Sequence, residues 1–364
     1  MSTSATKKKV MLAMSGGIDS SVAAILLKKQ GFDIVGVTYR VWDYISESCM
    51  SKETGCCSVE NIFEAKKLAE NLGFEHHIVD FRNLFHQTII ADFINEYSTG
   101  RTPNPCVLCN SKIKWGELLK FANQHKCDFI ATGHYAKIVY ESERYFLSKG
   151  KDTLKDQSYF LWKLSQENLS KTLFPLGNLD KHEVREIARE NGYEKISKKK
   201  ESQEICFVPD DDYRRFLKEN ISNFEEKFKP GNFVSEQGKI LGRHQGIPFY
   251  TIGQRKGLKI ATGSPVYITR IDLATNNIIL GNADELKKQK LSLKNINLMK
   301  YKKLTENFRA EVKIRYRNSG NFGTLNQTEN GIDILFDTPV SAITPGQSAV
   351  FYEGNHLIGG GIIE

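Results

Sequence analysis

At 364 residues, with 40% hydrophobic and 26% charged side chains, the chain has material for two or three globular domains, and no apolar run nears the ~18 residues that span a bilayer. The net charge of +8 is uneven: residues 231–364 hold 17 Lys and Arg against 11 Asp and Glu, which suits either nucleic acid or a solvated lysine-rich surface. Seven cysteines, an odd count, argue against a disulfide framework, and residues 1–9 lack the apolar core of a secretory signal, so a cytoplasmic protein with no membrane partner is expected.

Residues 10–14 are short and uncharged, as a buried strand of a parallel sheet is. After the turn Ser15-Gly16-Gly17-Ile18-Asp19-Ser20-Ser21, the residues Val22, Ala23, Ile25, Leu26 and Leu27 recur at helical spacing until Gly31. Residues 34–39 predict a second strand. Ser58 then caps a helix with Val59, Ile62, Phe63, Leu68, Ala69 and Leu72 on its apolar side, ended by Gly73. Residues 77–80 and 129–133 read as strands, and 115–122 and 180–192 as helices. This alternation predicts a parallel sheet wrapped by helices, with ligands outside the carboxyl ends of its strands.

Past residue 208 the texture changes. Asp210-Asp211-Asp212 opens a short charged helix, and residues 228–268 are dense in glycine, proline and turn signals. Residues 310–316 and 331–336 alternate like strands of a small barrel or sandwich. The expected fold class is α/β, in three domains: a parallel-sheet catalytic domain over 1–208, a small central α+β domain over 209–280, and an antiparallel β-barrel over 281–364.

The turn at 15–21 carries the first chemical signal. Paired glycines let backbone approach a ligand closely, and Ser20 or Ser21 is placed to cap a helix whose N–H groups face an anion. Neither the lysine-bearing phosphate loop nor the G-x-G-x-x-G of dinucleotide folds is present. The pattern S-G-G-x-D-S resembles the pyrophosphate loop of the ATP pyrophosphatases, which cleave ATP between the α and β phosphates and adenylate a substrate oxygen.

Cysteines carry the second signal. Two prolines in Thr102-Pro103-Asn104-Pro105 predict extended backbone before Cys106-Val107-Leu108-Cys109-Asn110, and Glu201-Ser202-Gln203-Glu204-Ile205-Cys206-Phe207 follows Lys198-Lys199-Lys200. Thiols near lysines or helix N-termini become thiolates, the reactive form. Cys56-Cys57 near His76-His77 lacks the C-x₂₋₄-C bite of a zinc site and reads as packing thiols, as do Cys49 and Cys127.

Eight motifs in order then resemble the tRNA-specific 2-thiouridylase family across nearly the whole chain. They are the pyrophosphate loop, G-R-T-P-N-P-x-x-x-C-N, A-T-G-H-Y-A (131–136), K-D-Q-S-Y-F (155–160), S-Q-x-I-C-F, and the later G-R-H-Q-G, Y-T-I-G-Q-R-K-G-L and I-R-Y runs. The resemblance implies that ATP with Mg²⁺, bound by Ala13, Met14, Ser15, Gly16, Gly17, Ile18, Asp19 and Ser20 with Tyr39 and Gly133 at the adenine, adenylates O2 of the wobble uridine. It implies Cys206 as persulfide carrier, loaded by a sulfur relay protein. Cys109 is the implied nucleophile, freeing sulfide or closing a Cys109–Cys206 disulfide. Asn104, Pro105 and Cys106 would face the target base, and His134, Lys155, Asp156, Gln157, Arg315, Tyr316 and Gln347 would touch tRNA. A monomer is expected.

One position departs from part of the family, where an aspartate stands in place of Cys106. Three cysteines, Cys106, Cys109 and Cys206, thus leave open an iron–sulfur cluster as sulfide carrier in place of the persulfide. Two further readings compete with a thiolase. A small-molecule adenylating ligase would not need the paired cysteines, and an RNA-binding zinc module would leave the S-G-G-I-D-S loop without purpose.

Overall fold

The computed structural model describes residues 7–42, 59–198, 205–208 and 210–364. The expected Ser58 cap, Cys49, Cys56, Cys57, Lys199, Lys200 and residues 201–204 lie outside them. The chain divides into two compact units, one of residues 1–88, 106–211 and 355–357, the other of 89–105, 212–354 and 358–364.

The first unit is built on a five-stranded sheet. Strands β1 (Lys9–Ala13), β2 (Asp33–Arg40), β3 (Glu75–Asp80), β4 (Phe129–Ala131) and the short β7 (Thr172–Leu173) lie in the order β3-β2-β1-β4-β7. All neighbours run parallel, Val10 opposite Ile34 on one side and Phe129 on the other. Helices α1 (Ile18–Lys29), α2 (Val59–Leu72), α3 (Pro105–Cys109), α4 (Trp115–Gln124) and α5 (Lys181–Glu190) surround it, and β5 (Ala136–Glu141) and β6 (Arg144–Lys149) form a hairpin. One core joins Val10, Leu12, Ala23, Leu27, Ile34 and Leu68; another joins Ile18, Val22, Tyr135, Val184 and Ala188, so α1 is gripped from two sides. Each such aliphatic chain contributes about 1.5–3 kcal/mol on burial. That fixes the N-terminus of α1 rigidly. Helix α5 has a reciprocal cap: Asp180 accepts from the Glu183 backbone and Glu183 from that of Asp180.

In the second unit, α6 (Tyr213–Asn220) is capped by Asp212, as the acidic run predicted. A four-stranded sheet follows, β8 (Gly231–Ser235), β9 (Ile240–His244), β10 (Tyr267–Asp272) and β11 (Asn277–Gly281), ordered β10-β11-β8-β9 with β8 and β11 parallel. Its strands β8 and β9 fall in the stretch whose glycines and prolines read as turns.

The remaining strands close into a barrel. They are β12 (Lys287–Leu298), β13 (Phe308–Lys313), β14 (Asn321–Gln327), β15 (Ile332–Ser341), β16 (Ser348–Glu353) and β17 (His356–Ile363). The order β12-β15-β14-β13-β16-β17 returns on itself because β12 also pairs with β17, Leu293 opposite Ile363. Closure leaves no open edge. Leu291, Val312, Leu325, Ile334, Phe336 and Phe351 fill it. Strand β13 stops at Lys313, so Arg315 and Tyr316 stand in the turn beyond it and not on the predicted strand 310–316.

Candidate active site

The loop between β1 and α1 sits at the carboxyl edge of the sheet. Met14 N–H donates to Val37 O, holding the end of β1 in the sheet before the chain turns. Gly16 turns at φ +70°, where a Cβ would stand 2.1 Å from Asn61 O, so this position admits only glycine. Helix α1 starts at Ile18, with Gly17 as a cap that offers no side chain. The expected capping by Ser20 or Ser21 is corrected here. Both hydroxyls lie in the first turn and donate back to Gly17 O, at 3.1 and 2.9 Å. Ser20 Oγ also accepts from Ser15 N–H at 3.2 Å, closing the loop on itself. The first-turn N–H groups of α1, which no intrahelical carbonyl satisfies, face the loop opening. Gly133 backs the same turn: a Cβ there would lie 2.7 Å from Asp19 C and 2.8 Å from Ser20 N.

Asp19 is tied down from across the sheet. Its Oδ1 accepts from Tyr135 OH and from Lys181 Nζ, each at 2.7 Å. Lys181 is the first residue of α5, and its side chain is only 11% exposed against 33% for Asp19. A buried ammonium therefore stands beside a phosphate-type loop. Serine hydroxyls and a carboxylate are the hard oxygen donors that Mg²⁺ takes alongside phosphate oxygens.

A second brace starts at the outer strand. Thr38 Oγ1 donates to Met14 O at 2.7 Å and lies 2.9 Å from His76 Nε2. With its one proton spent on Met14, the threonine accepts from His76, which is thereby the Nε2–H tautomer. Burial, with His77 and Lys66 nearby, lowers the His76 pKa to about 4, so the ring is neutral. Between pH 6.5 and about 4 the unfolded imidazole takes up a proton that the folded one refuses. Stability is therefore full above pH 6.5 and falls as pH drops through that window. Urea unfolding at pH 7 and pH 5 should show this loss, and His76→Gln, which keeps a donor at the same reach but does not titrate, should lessen it.

The cysteines occupy two settings. Helix α3 begins with Pro105 at its first position, which proline suits, so the extended backbone predicted before the C-x-x-C ends at Asn104. Cys106 is exposed and Cys109 half-buried, one helical turn apart. Asn110 follows, its Nδ2 donating to Phe160 O at 3.0 Å, and opens a wide turn over Asn110–Lys114. Cys109 adds to the field at Tyr39, whose phenol is pushed well above 10 by burial, then by Glu117 and by Cys109. Half-buried Cys206 lies in a turn anchored by Phe207, which packs edge-on against Phe85 at 5.6 Å. Cys127 is buried, and desolvation pushes its thiol up to about 11. Among the described residues no three His, Cys, Asp or Glu side chains stand where they could hold a metal ion.

The comparisons with known proteins decide among the competing readings. Residues 8–210 match the description tRNA methyl transferase HUP domain, 214–282 tRNA methyl transferase PRC-barrel domain, and 288–363 aminomethyltransferase beta-barrel domain. Full-length relatives are more specific. The tRNA-specific 2-thiouridylase MnmA of Amoebophilus asiaticus is 50% identical over 359 residues, covering 98% of this chain and 96% of that protein. The chain belongs to the tRNA-specific 2-thiouridylase family. Proteins of the same name from Cytophaga hutchinsonii and Salinibacter ruber are each 49% identical, covering 98% of this chain and 98% and 94% of their own lengths.

For this 2-thiouridylase family member, the residues expected at tRNA have varied settings. His134 Nδ1 lies 2.7 Å from Thr132 Oγ1, its ring is 5.5 Å from Trp115, and burial with Lys114 holds its pKa well below 6.5. Asp156 is buried: Oδ1 accepts from the Gly150 and Ser158 backbones and Oδ2 from Ser158 Oγ. Gln157 Oε1 accepts from Tyr135 N–H. These two side chains shape the loop and leave half-buried Lys155 at its surface. Arg315 Nη2 donates to Ala342 O at 2.9 Å and Thr344 Oγ1 at 2.7 Å, and Tyr316 beside it is half-buried. Sequence reasoning missed Lys181, Tyr135, Thr38 and His76, since each acts through a partner far along the chain. Among the described residues, no helix is long and apolar enough to cross a membrane.

Proposed function

We propose that this chain is an ATP-dependent tRNA-uridine 2-sulfurtransferase that converts the wobble uridine of tRNA to 2-thiouridine. The observation that carries the proposal is the pyrophosphate-type loop at the carboxyl edge of the sheet, its Asp19 braced by Lys181 and Tyr135. Full-length relatives named for 2-thiouridylation support the same reaction.

Uridine C2 is a poor electrophile until its oxygen becomes a leaving group. ATP is held by Ala13 to Ser20, with Tyr39 and Gly133 bordering the adenine. O2 of the base attacks the α-phosphorus, an O–P bond forms, and pyrophosphate leaves. Lys181 and the N–H groups of α1 stabilise charge on the departing phosphates. Mg²⁺, which Asp19 would help to hold, adds charge neutralisation there when bound. A relay protein leaves a terminal sulfur on Cys206 as a persulfide. That sulfur reaches C2 directly, or as sulfide freed when the Cys109 thiolate attacks the Cys206 sulfur. AMP departs with the former O2. In either route the S–S bond of the persulfide breaks, a Cys109–Cys206 disulfide forms, and a thiol reductant restores both cysteines. Asn104, Pro105 and Cys106 face the base, which leaves the anticodon loop at small cost because it is unpaired. The three domains, 1–208, 209–280 and 281–364, serve catalysis, connection and tRNA grip, and the enzyme works as a cytoplasmic monomer.

The test is thiolation of unmodified tRNA with ATP, magnesium and a persulfide donor, resolved on a gel that retards thiolated RNA with mercury. An ATP-dependent shifted band is expected. Pyrophosphate release without a shift would mean a different acceptor or sulfur source.

A further inference from the structure

The backbone just before the base-facing residues is held by the barrel. Gln347 Nε2 donates to Pro103 O at 2.8 Å and to Thr102 O at 3.1 Å, across 245 residues of sequence. Both amide hydrogens are spent on these carbonyls. The reverse amide orientation would set an oxygen against two oxygens, so the assignment is fixed by its partners. Gln347 is itself locked: its N–H donates to Thr344 O, and its carbonyl accepts from Ile363 N–H. Three further bonds hold the same segment. Thr102 N–H donates to Pro345 O at 2.9 Å, Thr102 Oγ1 to Thr251 Oγ1 at 3.2 Å, and Arg101 Nη2 to Ile363 O at 3.0 Å. Gly346 permits the approach, because a Cβ there would lie 2.7 Å from Thr102 O and 2.6 Å from Glu96 Oε2, at a φ of +90°. Arg315 braces the turn leading to Gln347 through Ala342 O and Thr344 Oγ1.

We infer that Gln347 is a positioning residue for the base-facing segment: it orients Asn104 and Pro105 through the Thr102 and Pro103 carbonyls. With both amide hydrogens taken, a tRNA contact by this side chain is left only its Oε1 acceptor. The inference rests on the thiouridylase reading above and deepens it. Two carbonyls pinned by one amide fix the peptide planes on both sides of Pro103, and a misplacement of about 1 Å at a reacting centre costs on the order of 100-fold in rate.

The test compares wild type with Gln347→Met, which keeps length and removes both donors, and with Gln347→Asn, which keeps the amide one methylene short. Three quantities are read: tRNA Kd by filter binding, single-turnover thiolation at saturating tRNA, and hydrogen exchange of peptides covering residues 99–105. Both variants should bind tRNA within about 2-fold of wild type, thiolate about 10- to 100-fold more slowly, and exchange faster over 99–105. A weakened Kd with an unchanged saturating rate would make Gln347 an RNA contact and overturn the inference. So would unchanged exchange and rate. A wild-type protein that thiolates nothing would instead sink the functional reading, and the exchange experiment would still decide whether Gln347 holds the segment.

Discussion

Cys206→Ser should abolish sulfur transfer to tRNA while a burst of ATP-dependent pyrophosphate release survives. Serine is nearly isosteric, and the turn is anchored by Phe207 on Phe85, so the substitution leaves the local fold in place. A hydroxyl cannot carry a terminal sulfur, and the loss should be at least about 10³-fold, as for removal of a group that acts only in covalent chemistry. The mercury gel reads the first outcome, and a coupled pyrophosphate assay on the same sample reads the second. Cys127→Ser is the matched control. Its thiol is buried and pushed up to about 11, which makes it inert, so activity should be retained. Normal turnover by the Cys206 variant would remove it as the sulfur carrier.

The second large effect belongs to Lys181. Removing one partner of a mostly buried ion pair leaves the other without compensation, at about 3–5 kcal/mol. Here the deserted group is Asp19, partly open to solvent, which keeps the Tyr135 hydroxyl; the lower end of that range applies. That cost falls on folding stability. Separately, because Lys181 is the cation placed to stabilise charge on the departing pyrophosphate, Lys181→Met should cut kcat/KM for ATP by about 10²-fold or more, measured by pyrophosphate release against ATP concentration. Lys181→Arg should not restore it, because a planar fork does not occupy the space of a compact ammonium under the Tyr135 ring. Tyr135→Phe removes one hydrogen bond to the same carboxylate and should cost about 1.5–3 kcal/mol at most. If Lys181→Met kept the wild-type response to ATP, the ion pair would be structural and no part of the nucleotide site.

Much of the architecture was legible because it is encoded locally. Apolar residues 10–14, two glycines and a helical repeat are adjacent in sequence, and they produced β1, the loop and α1 where expected. Asp180 and Glu183 state their own helix start at a spacing of three. Local signals failed where two of them conflict. Ser20 and Ser21 are good capping residues, yet Gly17 takes the cap because the close approach to Asn61 and Gly133 sets where the helix begins. Strands β8 and β9 hid among turn residues: they pair with each other, and β8 is completed on its other side by β11, more than forty residues on.

By itself the sequence determined the α/β class, the pyrophosphate-type loop, the two cysteine motifs and, through its ordered run of motifs, the family. All of these rest on residue identities within short windows. Only the tertiary structure decided what the polar side chains do. Lys181 reaches Asp19 over 162 residues, His76 meets Thr38 over 38, and Gln347 meets Thr102 over 245. Such partnerships depend on strand order and barrel closure, which bring distant backbone together, and a hydrogen bond forms only where that geometry leaves a donor within about 3 Å of an acceptor.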